Sequence, residues 1–587
     1  MIQQSISRPG HRQNGHARRA ALRDFTPAPK SRHYSEWKIM VDKALILGLN
    51  RTSDASFCLL HGHEIFFGRK ERLSREKHAW GSLGDIALYR SSHELFRQPI
   101  DVIVECYSSD SERSKREEYW AEMKSCLWLA ENLVHVEISH HFAHAYSAFS
   151  PSGFDEAATL IVDNRGSPRG LVLESAEVSD GPGEGPLEVI SVFDADEGGI
   201  RPVAKQWWDP DSATPVGLGM FYARASAAVL GRGNREGVLM GLAAHGSPTR
   251  FRLPPLEVQG CSVAIPDEWL RLTEDPLRFR YFRDGQDFSE AADFAASVQL
   301  AFEEALIAVA RYARAATGKR DLVYAGGCAL NCSANARLVQ EAGFERIFIP
   351  PACDDGGTSI GCALYGAEHI RQARSNWIWD VDYLGMPQRE NADQMAAIAA
   401  ELDLTIDGKA DLVGDVAQSL AEGRVVALFQ GRSEAGPRAL GNRSILARPL
   451  NAEARDFINS QVKRREWFRP LAPVVRLQSA PTYFEMQGPS PFMQQRAMVK
   501  PEWRERLEAV CHVDGSARVQ TVTRAQNAYV YDLLGRVEDL TGSDVLLNTS
   551  FNGPDEPIVE SFRDACLAFK RMPIDMLVAP PFCLRKP

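Results

Sequence analysis

The chain has 587 residues, 44% of them hydrophobic, and its 77 acidic residues outnumber 67 Lys and Arg to give a formal net charge of −10. Such a composition is typical of a water-soluble protein with two to four domains of roughly 150 residues each. It excludes fibrous, disulfide-stapled and wholly disordered proteins, and the acidic balance argues against a nucleic-acid partner.

The cysteine and apolar patterns favour a cytoplasmic protein. The eleven cysteines are scattered and odd in number, unlike the framework of a disulfide-rich domain. No apolar run approaches the roughly 20 residues that span a bilayer, and the N-terminus has no apolar signal segment. We therefore expect a cytoplasmic protein that makes no membrane contact.

Residues 1–40 are predicted to form a flexible basic extension. They contain eight Lys and Arg but only two acidic residues, without apolar periodicity. This composition also leaves a transit peptide open as an alternative.

The first predicted elements are strands. Apolar runs at 43–50, 56–60 and 65–67 predict a strand meander. Further along, 132–139 is predicted to be a strand, Ser139 to cap a helix that ends at Phe149, and 157–163 to be another strand.

A regular alternation of helix and strand follows. Apolar residues recur at helical spacing from Phe294 to Tyr312, before a strand at 322–325 and a helix from about Asn331. A strand at 346–349 comes next, and the pattern predicts an α/β fold. The polar, irregular stretch between Arg371 and Asn391 is the predicted domain boundary.

His140 and His144 are candidate metal ligands because residues four apart share one face of a helix. Helical spacing alone supplies no third ligand, so a histidine cluster without metal remains the alternative. Asp355, in a glycine-rich loop of the same domain, could complete a set of two histidines and a carboxylate.

Several strand-to-helix turns predict a nucleotide cleft. Glycines let backbone N–H groups approach phosphates, and a helix N-terminus adds partial positive charge. Each turn alone could serve only to reverse the chain. The candidate residues are Asp163, Gly326, Gly327, Asn331, Gly356 and Gly357.

The second half of the chain contains a basic motif at 431–444 and another at 463–470. Gly and Pro interrupt the regular spacing of both motifs, so we expect their Arg and Lys residues to lie on rigid loops and to bind an anion such as a phosphate ester. The alternative is a basic helix face exposed to solvent. The candidate substrate-binding residues are Arg438, Arg443, Lys463, Arg465 and Arg469, joined by Arg518, Ser550 and Asn552 in strand-to-turn segments.

These motifs together resemble the NodU/CmcH/TobZ-type O-carbamoyltransferase family from about Leu45 to about Phe569. The most specific strings are His140-His-Phe-Ala-His-Ala, Gly326-Gly-Cys-Ala-Leu-Asn, the segment 431–447, Phe468-Arg-Pro-Leu-Ala-Pro and Asn548-Thr-Ser-Phe-Asn.

The resemblance implies an N-terminal domain at 41–375 of the ASKHA class, which is actin/sugar-kinase-like, RNase H-like and TsaD-like. It implies a C-terminal YrdC-like α/β domain at 385–587 that converts carbamoyl phosphate and ATP to carbamoyl adenylate. The first domain would then transfer the carbamoyl group to a small-molecule alcohol. A homodimer is the family-based expectation for the assembly.

The same resemblance implies site roles. His140, His144 and Asp355 become ligands of a divalent metal, with iron(II) expected and magnesium accompanying the nucleotide. Lys463 and Arg438 take catalytic as well as substrate-binding roles, and Arg518 and Ser550 contact carbamoyl phosphate and ATP.

The sequence departs from the family near the chemistry. Ser53 stands where the family usually has a histidine suspected of acting as base, so His141, Asp54 or the metal must help remove the acceptor proton. Val238, Asn164 and Asp555 are further departures, and we expect them to affect transfer more than the fold.

Two other functions remain open. The same pair of domains serves tRNA threonylcarbamoylation, and the missing histidine could mark a catalytically idle nucleotide-binding relative. The acceptor alcohol, of antibiotic, glycoside or toxin type, is not specified by the sequence.

Overall fold

The computed structural model describes residues 44–587, except 91–92, 173, 175–184, 213, 232, 276–277, 280–284, 286–287, 372–374, 408–410 and 487. The predicted basic extension at 1–40 lies outside the described residues. The remainder is built from mixed β-sheets covered by helices, which confirms the predicted α/β class.

The strands before the predicted boundary form two five-stranded sheets and a small hairpin. They are β1 Leu45–Asn50, β2 Ser56–His61, β3 Glu64–Arg69, β4 Ile100–Tyr107, β5 Leu129–Ser139, β6 Ala157–Val162, β7 Leu187–Asp196, β8 Gly199–Trp208, β9 Glu257–Gln259, β10 Ser262–Ala264, β11 Asp321–Ala325 and β12 Arg346–Phe348.

The α-helices of this part are short except for one of 29 residues. They are Lys70–Ser74, Asp110–Arg113, Arg116–Cys126, His140–Phe149, Gly217–Leu230, Glu236–Ala243, Asp267–Glu274, Ser289–Thr317, Cys332–Glu341 and Thr358–Arg371.

The two five-stranded sheets share one topology. The first has the order β3-β2-β1-β4-β5, with β1 antiparallel to β2 and parallel to β4. The second has the order β8-β7-β6-β11-β12, with β6 antiparallel to β7 and parallel to β11. Each sheet is therefore a meander followed by parallel strands, and β1 of the first corresponds to β6 of the second.

The strands after the boundary build an eight-stranded sheet, β13-β23-β22-β14-β15-β21-β16-β20, and a three-stranded one, β17-β18-β19. Their bounds are β13 Thr405–Asp407, β14 Val426–Phe429, β15 Arg443–Ala447, β16 Ala472–Arg476, β17 Phe484–Glu485, β18 Ala497–Val499, β19 Ser516–Ala517, β20 Gln520–Val522, β21 Leu546–Ser550, β22 Met576–Ala579 and β23 Phe582–Arg585.

The helices that cover these sheets are Ala392–Glu401, Leu412–Ala421, Ala452–Phe457, Ala480–Tyr483, Ala528–Thr541 and Phe562–Arg571. A π-helical turn, Ile458–Val462, follows the third of them and leads directly to Lys463. No described helix is long and apolar enough to cross a membrane.

Close backbone contacts fix the helices around β1. A Cβ on Gly48 would lie 2.0 Å from the carbonyl oxygen of Ser359, and a Cβ on Gly361 would lie 1.8 Å from that of Ala143. Only glycine allows these approaches. The helices His140–Phe149 and Thr358–Arg371 are thereby held against each other, which brings the two histidines to the loop of Asp355.

Candidate active site

Four side chains converge at the carboxyl ends of strands from both five-stranded sheets. His140 directly follows β5, Asp163 directly follows β6, and Asp355 lies in the loop after β12. The Nε2 atom of His144 lies 3.2 Å from that of His140 and 3.2 Å from Oδ2 of Asp163. The Nε2 atom of His140 lies 3.4 Å from Oδ1 of Asp355.

This geometry fits a metal ion. Donors bound at about 2.1 Å to one ion lie about 3.0–3.5 Å apart in tetrahedral or octahedral arrangements. The four donor atoms lie within 4.8 Å of one another, and both imidazoles are fully buried. Without a metal, the facing Nε2 atoms of His140 and His144 can share only one proton, in a single N–H···N hydrogen bond. A metal ion could bind the lone pairs of both nitrogens.

The electrostatics of the cluster also favour a cation. Burial lowers the pKa of His140, but the carboxylates of Asp355 and Asp163 outweigh it and raise that pKa well above its ordinary value. Burial raises the pKa of Asp163, whereas hydrogen bonds from His140 and His144 hold it well below its usual range. Two carboxylates thus stabilise positive charge on the imidazoles, and a bound metal would displace those protons.

The structure brings together the three predicted ligands and adds Asp163, which the sequence analysis assigned to the nucleotide cleft. Its position directly after a buried strand was the available signal, because such positions line the edge of a sheet. The sequence could not show that β5 and β6, from different sheets, end at the same place.

His141 and Asp54, the candidate bases, occupy different surroundings. His141 is fully buried, and its Nδ1 lies 2.8 Å from Oγ of Ser191. Burial lowers the pKa of His141 to about 3. This position does not favour His141 as a base for an acceptor hydroxyl. Asp54 is partly exposed, and its Oδ1 lies 2.9 Å from Nδ1 of His78.

The predicted nucleotide turns lie next to the metal cluster. The N–H of Gly327 points to Oδ1 of Asp163 at 3.4 Å. Gly326 has φ 96°, and a Cβ there would lie 2.2 Å from the carbonyl oxygen of Val162. Gly357 has a comparable constraint, since its Cβ would lie 1.9 Å from the carbonyl oxygen of Ala352.

Two of the predicted nucleotide contacts are engaged by protein groups. Asn331 caps the helix Cys332–Glu341 by accepting from the N–H of Ala334 at 3.1 Å, and its Nδ2 donates to Gln299. A Cβ on Gly356 would lie 2.6 Å from Cζ of Arg69. Asn331 therefore orients a helix, and Gly356 makes room for a guanidinium.

Lys463 is the centre of the second predicted site. It is 5% exposed, and its Nζ donates to the carbonyl oxygen of Ser550 at 2.8 Å, the carbonyl oxygen of Asn552 at 3.0 Å and Oδ1 of Asn552 at 2.5 Å. Burial lowers its pKa well below the ordinary value, and Arg465, Lys77 and Arg469 lower it further. The ammonium group donates only to neutral oxygens, and of the charged groups near it Glu556 alone opposes the effect of the cations.

The neighbouring arginines repel one another. Burial together with Arg438 and Arg469 lowers the pKa of Arg518 to about 9, and burial with Arg235 and Arg438 lowers that of Arg469 to about 10. Nε of Arg518 is buried without a described partner. Glu466 lies 3.7 Å from Arg469 and also pairs with Arg235, whereas Arg438 and Arg518 have no ion pair with a described carboxylate. The buried Lys463 and the half-buried Arg438, Arg469 and Arg518 thus share few counter-charges, which indicates an anion site.

Arg443 and Arg465 hold the backbone around this site. Arg443 is 1% exposed, stacks 3.9 Å from the centre of the Phe429 ring, and donates to the carbonyl oxygens of Gln430 and Gly431. Nε of Arg465 donates to Oδ1 of Asn459 at 2.8 Å. Arg443 therefore has a supporting position beneath the loop at 431–442.

The two sites are joined by residues of the basic motif at 431–444. Nη2 of Arg438 reaches the carbonyl oxygen of Leu330 at 3.4 Å, in the segment that begins with Gly326. Nε of Arg69 donates to the carbonyl oxygen of Ala435 at 2.8 Å. The candidate anion site and the candidate metal cluster are thus in contact through these residues.

A cavity of about 820 Å³ opens beside Arg469. Aromatic and cationic side chains line it, including His245, Trp467, Phe468 and Arg504, together with acidic side chains such as Glu508. A cavity of this size can admit a small organic molecule next to the anion site.

Comparisons with known proteins agree with the motifs. Residues 266–364 match the family described as Carbamoyltransferase N-terminus, and residues 417–586 match Carbamoyltransferase C-terminus. The nodulation protein NolO of Bradyrhizobium diazoefficiens is 34% identical over 461 residues, covering 76% of this chain and 79% of that protein.

Nodulation protein U of Rhizobium tropici is 38% identical over 250 residues, covering 42% of this chain and 41% of that protein. Among solved structures, full-length HypF in the phosphate- and nucleotide-bound form aligns with a TM-score of 0.37 at 15% identity, covering 57% of this chain and 56% of that chain. That score is too low to support an argument about this chain.

Proposed function

This chain belongs to the carbamoyltransferase family that includes the nodulation proteins NolO and U, and we propose that it uses ATP and carbamoyl phosphate to carbamoylate a hydroxyl of a small specialised metabolite. In the first step, water cleaves carbamoyl phosphate to carbamate and inorganic phosphate. A carbamate oxygen then bonds to the α-phosphorus of ATP while the bond to the β-phosphate breaks, which gives carbamoyl adenylate and pyrophosphate. The second step transfers the carbamoyl group to the acceptor and releases AMP.

We assign adenylate formation to the site around Lys463. The reacting phosphates concentrate negative charge, and preorganised cationic donors stabilise that charge best where water is excluded. Lys463, Arg438 and Arg518 form no ion pair with a described carboxylate, which leaves their charge available to substrate. This uncompensated buried charge is the observation that carries the proposal.

We assign carbamoyl transfer to the cluster of His140, His144, Asp163 and Asp355. A divalent ion held there, which we propose to be iron(II), would polarise the acyl or phosphate oxygen. The adjacent turns at Gly326 and Gly356 would bind the nucleotide portion of the adenylate, with magnesium accompanying ATP. The contact between the two candidate sites at Arg438 supports an internal route that keeps the labile adenylate from water.

The topology supports the proposed domain classes. Two sheets of identical order in one polypeptide segment are typical of a duplicated ASKHA-type fold, and we propose that 41–375 forms such a domain. We propose the YrdC-like class for 385–587 because the segments that join its strands carry the cations of 438–469. A homodimer and a cytoplasmic location remain parts of the same proposal.

The proposal is tested with purified protein, iron(II), magnesium, ATP, carbamoyl phosphate and a panel of alcohols. We expect one acceptor to gain the mass of a carbamoyl group while pyrophosphate and AMP form in equal amounts. Absence of pyrophosphate release with every acceptor would exclude adenylate chemistry. Dependence on threonine and bicarbonate instead would favour the tRNA-type reaction, and no ATP turnover with no bound metal would favour an idle relative.

A further inference from the structure

The turn at residues 74–80 connects both sites and presents an imidazole to the transfer site. Nη1 and Nη2 of Arg75 donate to the carbonyl oxygens of Ile558 and Pro557, both at 2.8 Å, which anchors the turn to the C-terminal half. Lys77 lowers the pKa of Lys463 electrostatically and therefore lies near the anion site. His78 follows directly and faces the N-terminal half.

His78 and Asp54 form a dyad. The Nδ1 atom of His78 lies 2.9 Å from Oδ1 of Asp54, and the imidazole side chain is 44% exposed. The backbone holds the two together, since the N–H of Ala55 donates to the carbonyl oxygen of Ala79 at 2.9 Å. With Nδ1 engaged by the carboxylate, Nε2 is the ring nitrogen left to meet a substrate.

The dyad lies beside the metal cluster. The side-chain amide of Asn50 donates to the carbonyl oxygen of Ser53 at 3.0 Å and to that of Asp355 at 2.9 Å. One amide nitrogen thus ties the turn that carries Asp54 to the backbone of a predicted metal ligand. On the other side, His78 lowers the pKa of Glu236 electrostatically. The imidazole therefore lies near both the turn of Asp54 and the start of the helix Glu236–Ala243.

We propose that His78, oriented by Asp54, is the catalytic base that takes the proton of the acceptor hydroxyl. The inference rests on the proposed function. The acceptor oxygen forms a bond to the carbamoyl carbon. The bond between that carbon and the phosphate oxygen of AMP breaks, and its electron pair leaves with AMP. The acceptor proton passes to Nε2 of His78. A carboxylate on Nδ1 fixes the tautomer and stabilises the imidazolium that forms, as in other base dyads.

The charged surroundings suit this role. The hydrogen bond that His78 donates to Asp54 raises the pKa of His78, burial opposes this, and Asp54, Glu71 and Asp354 raise it electrostatically. Glu236 is a fourth carboxyl group near the imidazole. The base is neutral, and therefore active, only above that raised pKa, so the transfer rate should increase with pH through it.

The test separates the two half-reactions in the full-length enzyme. Carbamoyl-phosphate-dependent exchange of labelled pyrophosphate into ATP reports adenylate formation, and AMP release with concentrated glycerol or with water alone as acceptor reports transfer. The exposed His63→Ala is the matched control. Ser53 is exposed next to Asp54, so Ser53→His offers an imidazole on the same turn.

For His78→Ala we expect AMP release to fall about 10²-fold or more and to lose its increase with pH. Exchange of pyrophosphate into ATP should stay within about threefold of the rate of the unchanged protein. Adding Ser53→His to His78→Ala should recover AMP release at least about tenfold. If AMP release by His78→Ala stayed within threefold of that of the unchanged protein, or if exchange and AMP release fell equally, the inference would be overturned but the proposed function would stand. No exchange in the unchanged protein would overturn the proposed function and the inference with it.

Discussion

The guanidinium of Arg69 forms two buried hydrogen bonds with the carboxylate of Asp354, from Nη2 to Oδ1 at 2.6 Å and from Nη1 to Oδ2 at 3.0 Å. Asp354 immediately precedes the predicted metal ligand Asp355. Nε of Arg69 also donates to the carbonyl oxygen of Ala435. This one side chain therefore fixes the loop of Asp354 and Asp355 relative to the basic motif at 431–444.

Arg69→Met should therefore destabilise the protein and slow transfer. It leaves the buried Asp354 carboxylate without its counter-charge, which typically costs about 3–5 kcal/mol. Unfolding in denaturant measures the change. Arg201→Met is the control, because Arg201 pairs with Asp194 and Asp196 with its side chain 47% exposed. Such surface pairs contribute about 1 kcal/mol or less to the free energy of unfolding. If both variants lowered the free energy of unfolding equally, Arg69 would not have the structural role proposed here.

Asp163→Asn should lower the metal content by about tenfold or more, because it removes one charged donor of the cluster. Elemental analysis of protein purified with iron(II) or zinc, with the exposed Asp393→Asn as control, measures the content. Full metal occupancy in Asp163→Asn would show that Asp163 is not a ligand.

Lys463→Met should abolish adenylate formation while leaving the fold intact. The variant removes a charge that stabilises the reacting phosphates, for which a loss of about 10²–10³-fold is typical. It also removes a buried charge, which favours the folded state, but leaves the oxygens of Ser550 and Asn552 without their donor, so the free energy of unfolding should change by no more than about 1–3 kcal/mol. Pyrophosphate release and thermal melting measure both effects, with the exposed Lys124→Met as control. A large loss of stability would indicate a structural lysine instead.

Asp382 should make stability depend on pH. Burial raises the pKa of Asp382 to about 8, although the N–H of Gly436 donates to its Oδ2 at 2.9 Å. In the folded state Asp382 keeps a proton that it loses near pH 4 in the unfolded state. Its contribution to the free energy of unfolding is therefore complete below about pH 4 and is lost as pH rises to about 8. Each unit by which folding raises the pKa contributes about 1.4 kcal/mol.

Asp382→Asn should flatten the decline in the free energy of unfolding across this window, because the amide cannot ionise. Denaturation at several pH values measures it. The exposed Asp539→Asn should leave the slope unchanged. If the slope of Asp382→Asn equals that of the unchanged protein, Asp382 is ionised in the fold.

Local signals in the sequence predicted many elements. Ser139 caps the helix that ends at Phe149, as predicted, and its side chain accepts from the N–H of Phe142. The helix predicted around Phe294 is longer, Ser289–Thr317, and the strand predicted at 132–139 begins at Leu129. Helix caps and apolar periodicity act within a few residues, so they can be read from one segment.

Contacts between distant segments could not be predicted in this way. Asp163 joins His144 only because strands of two sheets end together, and His78 reaches Asp54 from a turn that has no periodicity. The order of the eight-stranded sheet likewise depends on pairings such as β14 with β22, which are separated by about 150 residues. Such pairings depend on packing of the whole chain.

The most direct test of the account measures isotope exchange between labelled pyrophosphate and ATP with no acceptor present. If adenylate forms at the cations around Lys463, exchange should require carbamoyl phosphate, persist in His144→Ala and vanish in Lys463→Met. Exchange that proceeds without carbamoyl phosphate, or that survives in Lys463→Met, would contradict it.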